Sequence, residues 1–138
     1  MLTSFKVREY MTVSRVSFLP EQDILQAVHI LLSHQLSGAP VIDQYNNLLG
    51  FLSEKDCIQV ALNAAYQQDH TYGQVAEYMS SGVITVDIDS AVVDAAQLFL
   101  NNTYKCYPVM DNHQVVGFIS RLHILRALAH VAEPTHSD

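Results

Sequence analysis

The chain has 138 residues, 49% hydrophobic and 15% charged, which is enough for one compact core and too few charges for a disordered regulator. With 14 acidic residues against 7 basic ones, the net charge is −7, and this argues against a nucleic-acid partner, which needs a broad basic face. No apolar run resembles a signal peptide or crosses a bilayer, so we expect a cytoplasmic protein without a membrane partner.

The first half of the chain predicts elements in the order βαββα. Apolar residues recur at helical spacing from Ile24 to Leu36, and the helix has to end before Pro40. The polar segment Asp43 to Asn47 is typical of a turn between two short apolar strands. The expected elements are a strand at 16–19, a helix after Pro20-Glu21-Gln22, strands at 39–42 and 48–52, and a helix from 54 towards 65.

The second half predicts the same order. Ser90 is the expected cap of its first helix, and the polar segment 67–73, which ends in glycine, is typical of a linker. We expect strands at 84–86, 107–110 and 115–119, and helices ending near Asn101 and spanning 122–131. The chain therefore divides into a first repeat at 5–66, a linker at 67–75, a second repeat at 76–131 and a flexible tail at 132–138.

Three motifs occur twice, in the same order in both halves. They are Glu9-Tyr10-Met11 and Glu77-Tyr78-Met79, Pro40-Val41-Ile42-Asp43 and Pro108-Val109-Met110-Asp111, and Gly50-Phe51-Leu52-Ser53 and Gly117-Phe118-Ile119-Ser120. The interval is 68 residues for the first two motifs and 67 for the third, so the second copy lacks one residue in its turn. Each copy alone is too small to bury much core, and we expect the two to form one α+β domain.

The repeated βαββα unit with these motifs resembles the cystathionine beta-synthase (CBS) domain, and a tandem pair of such domains is a Bateman module. The resemblance implies two repeats packed with pseudo-two-fold symmetry and no catalytic activity. It implies a regulatory module that requires no cofactor and binds AMP, ADP, ATP or S-adenosylmethionine in clefts between the repeats. It also implies a homodimer, which would act on an unknown protein target in trans.

Ligand sites of this family use a Gly-h-h-Ser/Thr-x-x-Asp motif, whose hydroxyl faces a phosphate and whose carboxylate takes the ribose hydroxyls. The first copy carries this motif as Gly50, Ser53 and Asp56. Ser53 and Asp56 also fit a helix capping box, and the sequence leaves both roles open. The resemblance implies a main cleft formed by Ser53, Lys55, Asp56, Met79, Gly82, Val83, Ile84, Lys105, Cys106 and Tyr107.

The second copy has His123 where the first has Asp56. An imidazole cannot accept hydrogen bonds from two sugar hydroxyls at once, so we expect a second cleft that is weak, empty or altered in preference. Its residues by resemblance are Met11, Arg15, Val16, Ser37, Gly38, Ala39, Ser120, Arg121 and His123.

Four of the 7 basic residues, Arg15, Lys55, Lys105 and Arg121, fall in these cleft segments. This placement suits an anionic ligand, although ordinary solvated side chains would explain it too. No hydrolase, P-loop or metal-binding spacing occurs, and Cys57 and Cys106 fit reduced, partly buried thiols. The rival interpretation is a ligand-free module for dimerisation and protein interaction.

Overall fold

The computed structural model describes residues 4–66 and 72–132. Their elements, in chain order, are α1 (Val7–Tyr10), β1 (Thr12–Val13), α2 (Ile24–Ser33), β2 (Gly38–Ile42), β3 (Leu48–Ser53), α3 (Glu54–Tyr66), a short 3-10 helix (Val75–Glu77), β4 (Val86–Asp87), α4 (Val92–Asn101), β5 (Cys106–Asp111), β6 (Gln114–Ser120) and α5 (Arg121–Ala132). This mixture of helices and strands confirms the predicted α+β class.

The elements form two compact units, and these units cut across the sequence repeats. Val16–Val83 forms one of them, here called the central unit. Met1–Arg15 joins Ile84–Asp138 in the other, here called the terminal unit. Each unit has its own apolar core, with Phe18 and Leu52 fully buried in the central unit and Tyr107 and Ile119 in the terminal unit.

The terminal unit contains a four-stranded sheet in the order β1-β6-β5-β4. The strands β1 and β5 each pair with β6 in antiparallel fashion, and β4 pairs with β5 in parallel. The central unit repeats this arrangement around the β2–β3 hairpin with single bridges, Phe18 to Val41 and Phe51 to Ser80.

The predicted strand at 16–19 is wrong in extent, because only Phe18 forms a bridge. Its N–H donates to the Pro40 carbonyl over 2.9 Å, and its carbonyl accepts from the Ile42 N–H over 2.8 Å. In the second half the strand is Val86–Asp87 rather than 84–86. Both segments place one large or branched apolar side chain in a core, so burial of that residue fixes the segment more than an extended ladder does.

Two segments, residues 5–14 and 72–80, have exchanged places between the repeats, and we call them the exchanged segments. The Val92 N–H at the start of α4 donates to the Phe5 carbonyl over 2.8 Å. At the equivalent point of α2, the Ile24 N–H donates to the Gly73 carbonyl over 3.0 Å. Each exchanged segment therefore supplies an acceptor to a helix of the other repeat, where a helix start leaves N–H groups unsatisfied.

The expectation that Ser90 caps α4 is wrong. The N-cap is Ala91, which makes no side-chain hydrogen bond, while the Ser90 carbonyl accepts from the Val7 N–H over 2.8 Å. The carbonyl of Phe5 accepts from the first N–H of α4, while Ser90 lies one residue before the N-cap position from which a hydroxyl reaches the second or third N–H.

The one-residue difference between the repeats lies in the hairpin turns. Asn112 and His113 both have positive φ, 49° and 71°, as a tight type I′ turn requires. The first hairpin has a longer turn, in which the Asp43 carboxylate accepts hydrogen bonds from Asn47 and Tyr45. Those from Asn47 contribute most to holding the pKa of Asp43 below its ordinary value. The two repeats therefore join equivalent strands with turns of different length and type.

Some expectations concern segments outside the described residues. These are positions 67–71 of the predicted linker and 133–138 of the predicted tail; Ala132 is the last residue of α5. None of the helices within 4–66 and 72–132 is long and apolar enough to cross a membrane. In the same ranges, no group of three or more His, Cys, Asp or Glu side chains is arranged to hold a metal ion.

Candidate functional site

Ser53 and Asp56 face each other at the start of α3 in the central unit. The Ser53 N–H and hydroxyl both donate to Asp56 Oδ2 over 2.9 Å, and the Asp56 N–H donates to Ser53 Oγ over 3.2 Å. The capping box that the sequence allowed is thus formed. Both bonds to the carboxylate use Oδ2, and among the described residues Oδ1 accepts none. One oxygen is fixed by the helix start, and the other remains available to a hydroxyl.

The N–H groups around this helix start are largely committed to the protein. The Glu54 N–H donates to the Ser37 carbonyl over 2.9 Å, and Gly38 pairs with Ser53 in the β2–β3 hairpin. A phosphate near this helix end therefore has fewer free N–H donors than an uncapped helix would offer. The exposed ammonium of Lys55, in the first turn, is the cationic group nearest in sequence to Asp56.

The exchanged segment 72–80 runs directly along the strand that leads to Ser53. Phe51 and Ser80 exchange two backbone hydrogen bonds of 2.9 Å. A Cβ added at Gly50 would come within 2.7 Å of the Ser80 carbonyl oxygen and 2.8 Å of Met79 Sδ, so glycine is required here. The segment continues to Gly82, which is exposed and has a positive φ of 67°.

The equivalent position in the terminal unit is closed by hydrogen bonds. The Ser120 N–H donates to His123 Nδ1 over 2.8 Å, and Ser120 Oγ lies 3.2 Å from the same nitrogen. On the other side of the ring, His123 Nε2 lies 2.9 Å from Thr12 Oγ1. Because Nδ1 accepts the Ser120 N–H, the neutral ring carries its proton on Nε2, which then donates to Thr12.

His123 is 5% exposed and is held in its neutral form. Burial lowers its pKa below the ordinary value, and the positive charge of Arg126 lowers it further. A protonated ring would turn Nδ1 into a donor facing the Ser120 N–H, which would break the hydrogen bond at the start of α5. A cation at a helix N-terminus is also unfavourable.

The remaining residues expected in the two clefts are divided between the units. Of the main-cleft set, Ser53, Lys55, Asp56, Met79, Gly82 and Val83 belong to the central unit, and Ile84, Lys105, Cys106 and Tyr107 belong to the terminal unit. Of the second set, Met11, Arg15, Ser120, Arg121 and His123 belong to the terminal unit, and Val16, Ser37, Gly38 and Ala39 belong to the central unit.

Two of these residues, Tyr107 and Ala39, are buried members of the apolar cores. The ring of Tyr107 is 1% exposed, and its hydroxyl donates to the Leu98 carbonyl over 2.8 Å. Ala39 is 2% exposed in the central core. Four cationic side chains, by contrast, are exposed: Arg15, Lys55, Lys105 and Arg121.

Thr12 and Ser80 were not among the residues that the sequence singled out. Each follows a Glu-Tyr-Met motif, and each lies beside a Gly-Phe pair of the other repeat, because Thr12 pairs with Phe118 and Ser80 with Phe51. A hydroxyl at the same place in both repeats was the available signal. The position of this hydroxyl next to the helix start is known only once the strand with which each exchanged segment pairs is known.

Cys57, next to Asp56 on α3, has a partly buried thiol. Burial raises its pKa to about 11, and the negative charges of Asp56 and Glu54 raise it as well. The thiol therefore stays protonated at neutral pH.

The model of the CBS domain matches residues 7–63 and 75–130, which are the two halves described above. The chain belongs to the CBS domain family. Among curated relatives, an uncharacterized 17.7 kDa protein of Acidianus ambivalens is 29% identical over 127 residues, which cover 91% of this chain and 74% of that protein. The CBS domain-containing protein YhcV of Bacillus subtilis is 26% identical over 114 residues, 83% of this chain and 79% of that protein. Another relative is longer, since the match covers 42% of the uncharacterized protein MJ1225 of Methanocaldococcus jannaschii.

Solved structures of CBS pairs share the fold. The complex of CBSX2 with AMP superposes with a TM-score of 0.80 at 23% identity, covering 93% of this chain and 98% of that one. The CBS pair of protein MJ0100 in complex with 5′-methylthioadenosine and S-adenosyl-L-methionine gives a TM-score of 0.77 at 22% identity, with coverages of 90% and 95%. At these identities the likeness establishes the CBS-pair fold.

Proposed function

We propose that this CBS pair is a non-catalytic regulatory module that binds an adenosine-containing ligand at Asp56 and signals to a partner protein in trans. The observation that carries the proposal is the Asp56 carboxylate, whose Oδ2 is fixed by Ser53 while Oδ1 accepts no hydrogen bond from the described residues. A carboxylate positioned in this way can accept a ribose hydroxyl without reorganising. CBS pairs of the same fold are known in complex with AMP, 5′-methylthioadenosine and S-adenosyl-L-methionine, and this supports the ligand class.

The central unit supplies Ser53, Lys55, Asp56 and the 79–83 segment to this proposed site. The family resemblance adds Ile84, Lys105, Cys106 and Tyr107, and their part in ligand binding stays a prediction.

The test is thermal unfolding with and without AMP, ADP, ATP or S-adenosylmethionine. A ligand at about ten times its Kd should stabilise the fold by about 1.4 kcal/mol through mass action. Asp56→Asn should abolish most of that gain, because the amide keeps an acceptor for the Ser53 N–H but loses the charge and one acceptor. Asp94→Asn is the matched control, since Asp94 is an exposed acid in the first turn of α4. No gain with any of the four ligands would refute the proposal.

Lys55 tests whether the ligand carries a phosphate. We expect Lys55→Ala to weaken AMP binding about three- to tenfold, as loss of an exposed charge-assisted contact does. Binding of 5′-methylthioadenosine, which lacks a phosphate, should be unchanged. An equal loss for both compounds would assign Lys55 to the nucleoside or to the fold instead.

A ligand-free assembly module is the second candidate function, and exposed apolar side chains favour it. On α3, Ile58 and Leu62 are 62% and 51% exposed, and on α5, Leu122 and Leu125 are 61% and 56% exposed. Such faces mark interaction surfaces, and we propose that they form a homodimer. In sedimentation experiments, wild-type protein should be dimeric and Leu62→Glu or Leu125→Glu should shift it towards monomer. A dimer without any ligand response would favour assembly alone.

A further inference from the structure

Among the residues that the structure describes, the terminal unit contains a hydrogen-bonded chain that the central unit lacks. In the terminal unit, the His123 ring connects two residues: its Nδ1 is hydrogen-bonded to Ser120, and its Nε2 is hydrogen-bonded to Thr12. In the central unit the equivalent residues are Ser53, Asp56 and Ser80, and only the first two are bonded to each other. Within the described residues, the Ser80 hydroxyl makes no hydrogen bond.

The difference follows from the size of one side chain. Asp56 Oδ2 and His123 Nδ1 do the same work, since each accepts the N–H of the serine that precedes its helix, over 2.9 and 2.8 Å. The imidazole extends beyond that acceptor and presents a second nitrogen on its far side. That nitrogen reaches the exchanged segment at Thr12 over 2.9 Å.

We infer that Thr12 and His123 limit this protein to one adenosine ligand per chain, because the His123 nitrogen that points away from the Ser120 cap is already bonded to the Thr12 hydroxyl, whereas Asp56 keeps one oxygen open for a ligand hydroxyl. The inference rests on the proposed function. It makes Thr12 a specificity-determining residue, since its hydroxyl satisfies the outward nitrogen of the ring. His123 is then an internal lock between β1 and α5 and has no vacant nitrogen to offer a sugar.

Burial of His123 makes its two hydrogen bonds costly to break. His123 is 5% exposed, so a broken bond on either nitrogen would leave a buried polar atom unsatisfied. Opening the second position would therefore cost the fold more than a single surface hydrogen bond does. The Ser120 N–H of β6 and the cation Arg126 of α5 favour a neutral ring, Thr12 of β1 is bonded to its outward nitrogen, and Phe118 of β6 lies beside it with ring centroids 6.0 Å apart.

Equilibrium dialysis with AMP tests the stoichiometry. Wild-type protein should bind about one AMP per chain, and His123→Asp should bind about two, because a carboxylate keeps the Ser120 cap with one oxygen and offers the other to the ligand. His123→Asn, which keeps a capping acceptor without the carboxylate, should stay at about one. The double variant Thr12→Val/His123→Asp removes the competing hydroxyl and should bind the second AMP more tightly than His123→Asp alone.

Two AMP molecules on wild-type protein, or only one on the folded double variant, would overturn the inference while leaving the proposed function intact. No AMP on wild-type protein would refute the proposed function instead. Ring ¹⁵N NMR at pH 7.5 tests the Thr12–His123 hydrogen bond independently of ligand binding. The lock requires a His123 ring protonated on Nε2 alone, with a proton shift that changes in Thr12→Val and is retained in Thr12→Ser. A ring that exchanges between tautomers would overturn it.

Discussion

Substitution of Gly50 by alanine should separate the exchanged segment 72–80 from β3. The new Cβ would lie 2.7 Å from the Ser80 carbonyl oxygen, 2.8 Å from Met79 Sδ and 3.2 Å from Met79 Cγ. The Met79 side chain can turn away, but the carbonyl is backbone and belongs to the Phe51–Ser80 pair. The segment therefore has to move by several tenths of an ångström, and the two 2.9 Å hydrogen bonds of that pair are strained or lost.

The expected cost is about 3 kcal/mol. Overpacking of a close contact costs about 1–3 kcal/mol, and each weakened backbone hydrogen bond adds about 0.5–1.5 kcal/mol. The lower flexibility of alanine in the unfolded chain returns about 0.5–1 kcal/mol. Gly82→Ala is the matched control, because Gly82 has a positive φ of 67° but no atom within 4 Å of the added Cβ. Its cost should be that of the left-handed conformation alone, about 1–2 kcal/mol.

Urea unfolding followed by circular dichroism measures both variants, and hydrogen exchange of the Phe51 and Ser80 amides locates the damage. We expect the unfolding midpoint to fall further for Gly50→Ala than for Gly82→Ala, and exchange at those two amides to accelerate only in Gly50→Ala. If Gly82→Ala proves the more destabilising change, or if the two amides stay equally protected, the close approach of segment 72–80 to β3 is refuted.

Two further predictions concern titratable side chains. Since the folded state lowers the pKa of His123, its contribution to stability is complete above about pH 6.5, the ordinary value of histidine, and is lost as the pH falls towards the folded pKa. The urea midpoint should therefore drop between pH 7.5 and pH 5 by more in wild-type protein than in His123→Asn, and equal drops would contradict the neutral lock. Cys57, with a pKa of about 11, should react with a maleimide at pH 8 about two orders of magnitude more slowly than a free cysteine peptide. The rate is measured in Cys106→Ser, and a rate like that of the peptide would show that the thiol is not buried.

The hairpins and long helices were predictable because their signals are local. The apolar residues of α2 recur at helical spacing, and the runs around the turn at Asp43 have the length of strands, so sequence and structure agree to within a few residues. The segment at 16–19 also had an apolar run, but the structure gives it a single bridge at Phe18. Composition does not distinguish a ladder from one well-buried residue.

The exchanged segments could not be predicted from the repeat itself. Residues 5–14 and 72–80 look alike, so the sequence pattern is the same whichever strand each segment joins. The choice depends on contacts between residues far apart in the chain, such as the bond from the Val92 N–H to the Phe5 carbonyl. The resemblance did assign Met11 to the same cleft as Ser120 and His123, and the structure places all three in the terminal unit. The role of Thr12 depends on that exchange, so the hydroxyl that Thr12 and Ser80 share could not be interpreted from the sequence alone.

If the proposed ligand binds at Asp56, the residues beside it lead along the chain into the terminal unit. A ligand at Asp56 would lie in the unit that contains the 79–83 segment, and that segment passes through Gly82 directly into Ile84 and β4. The reciprocal segment at 5–14 is fixed by the Thr12–His123 lock and by the Arg8–Asp89 ion pair of 2.7 Å. Both exchanged segments are hydrogen-bonded to their own units, so a response to the proposed ligand is expected to begin after Ser80, on the Gly82 side.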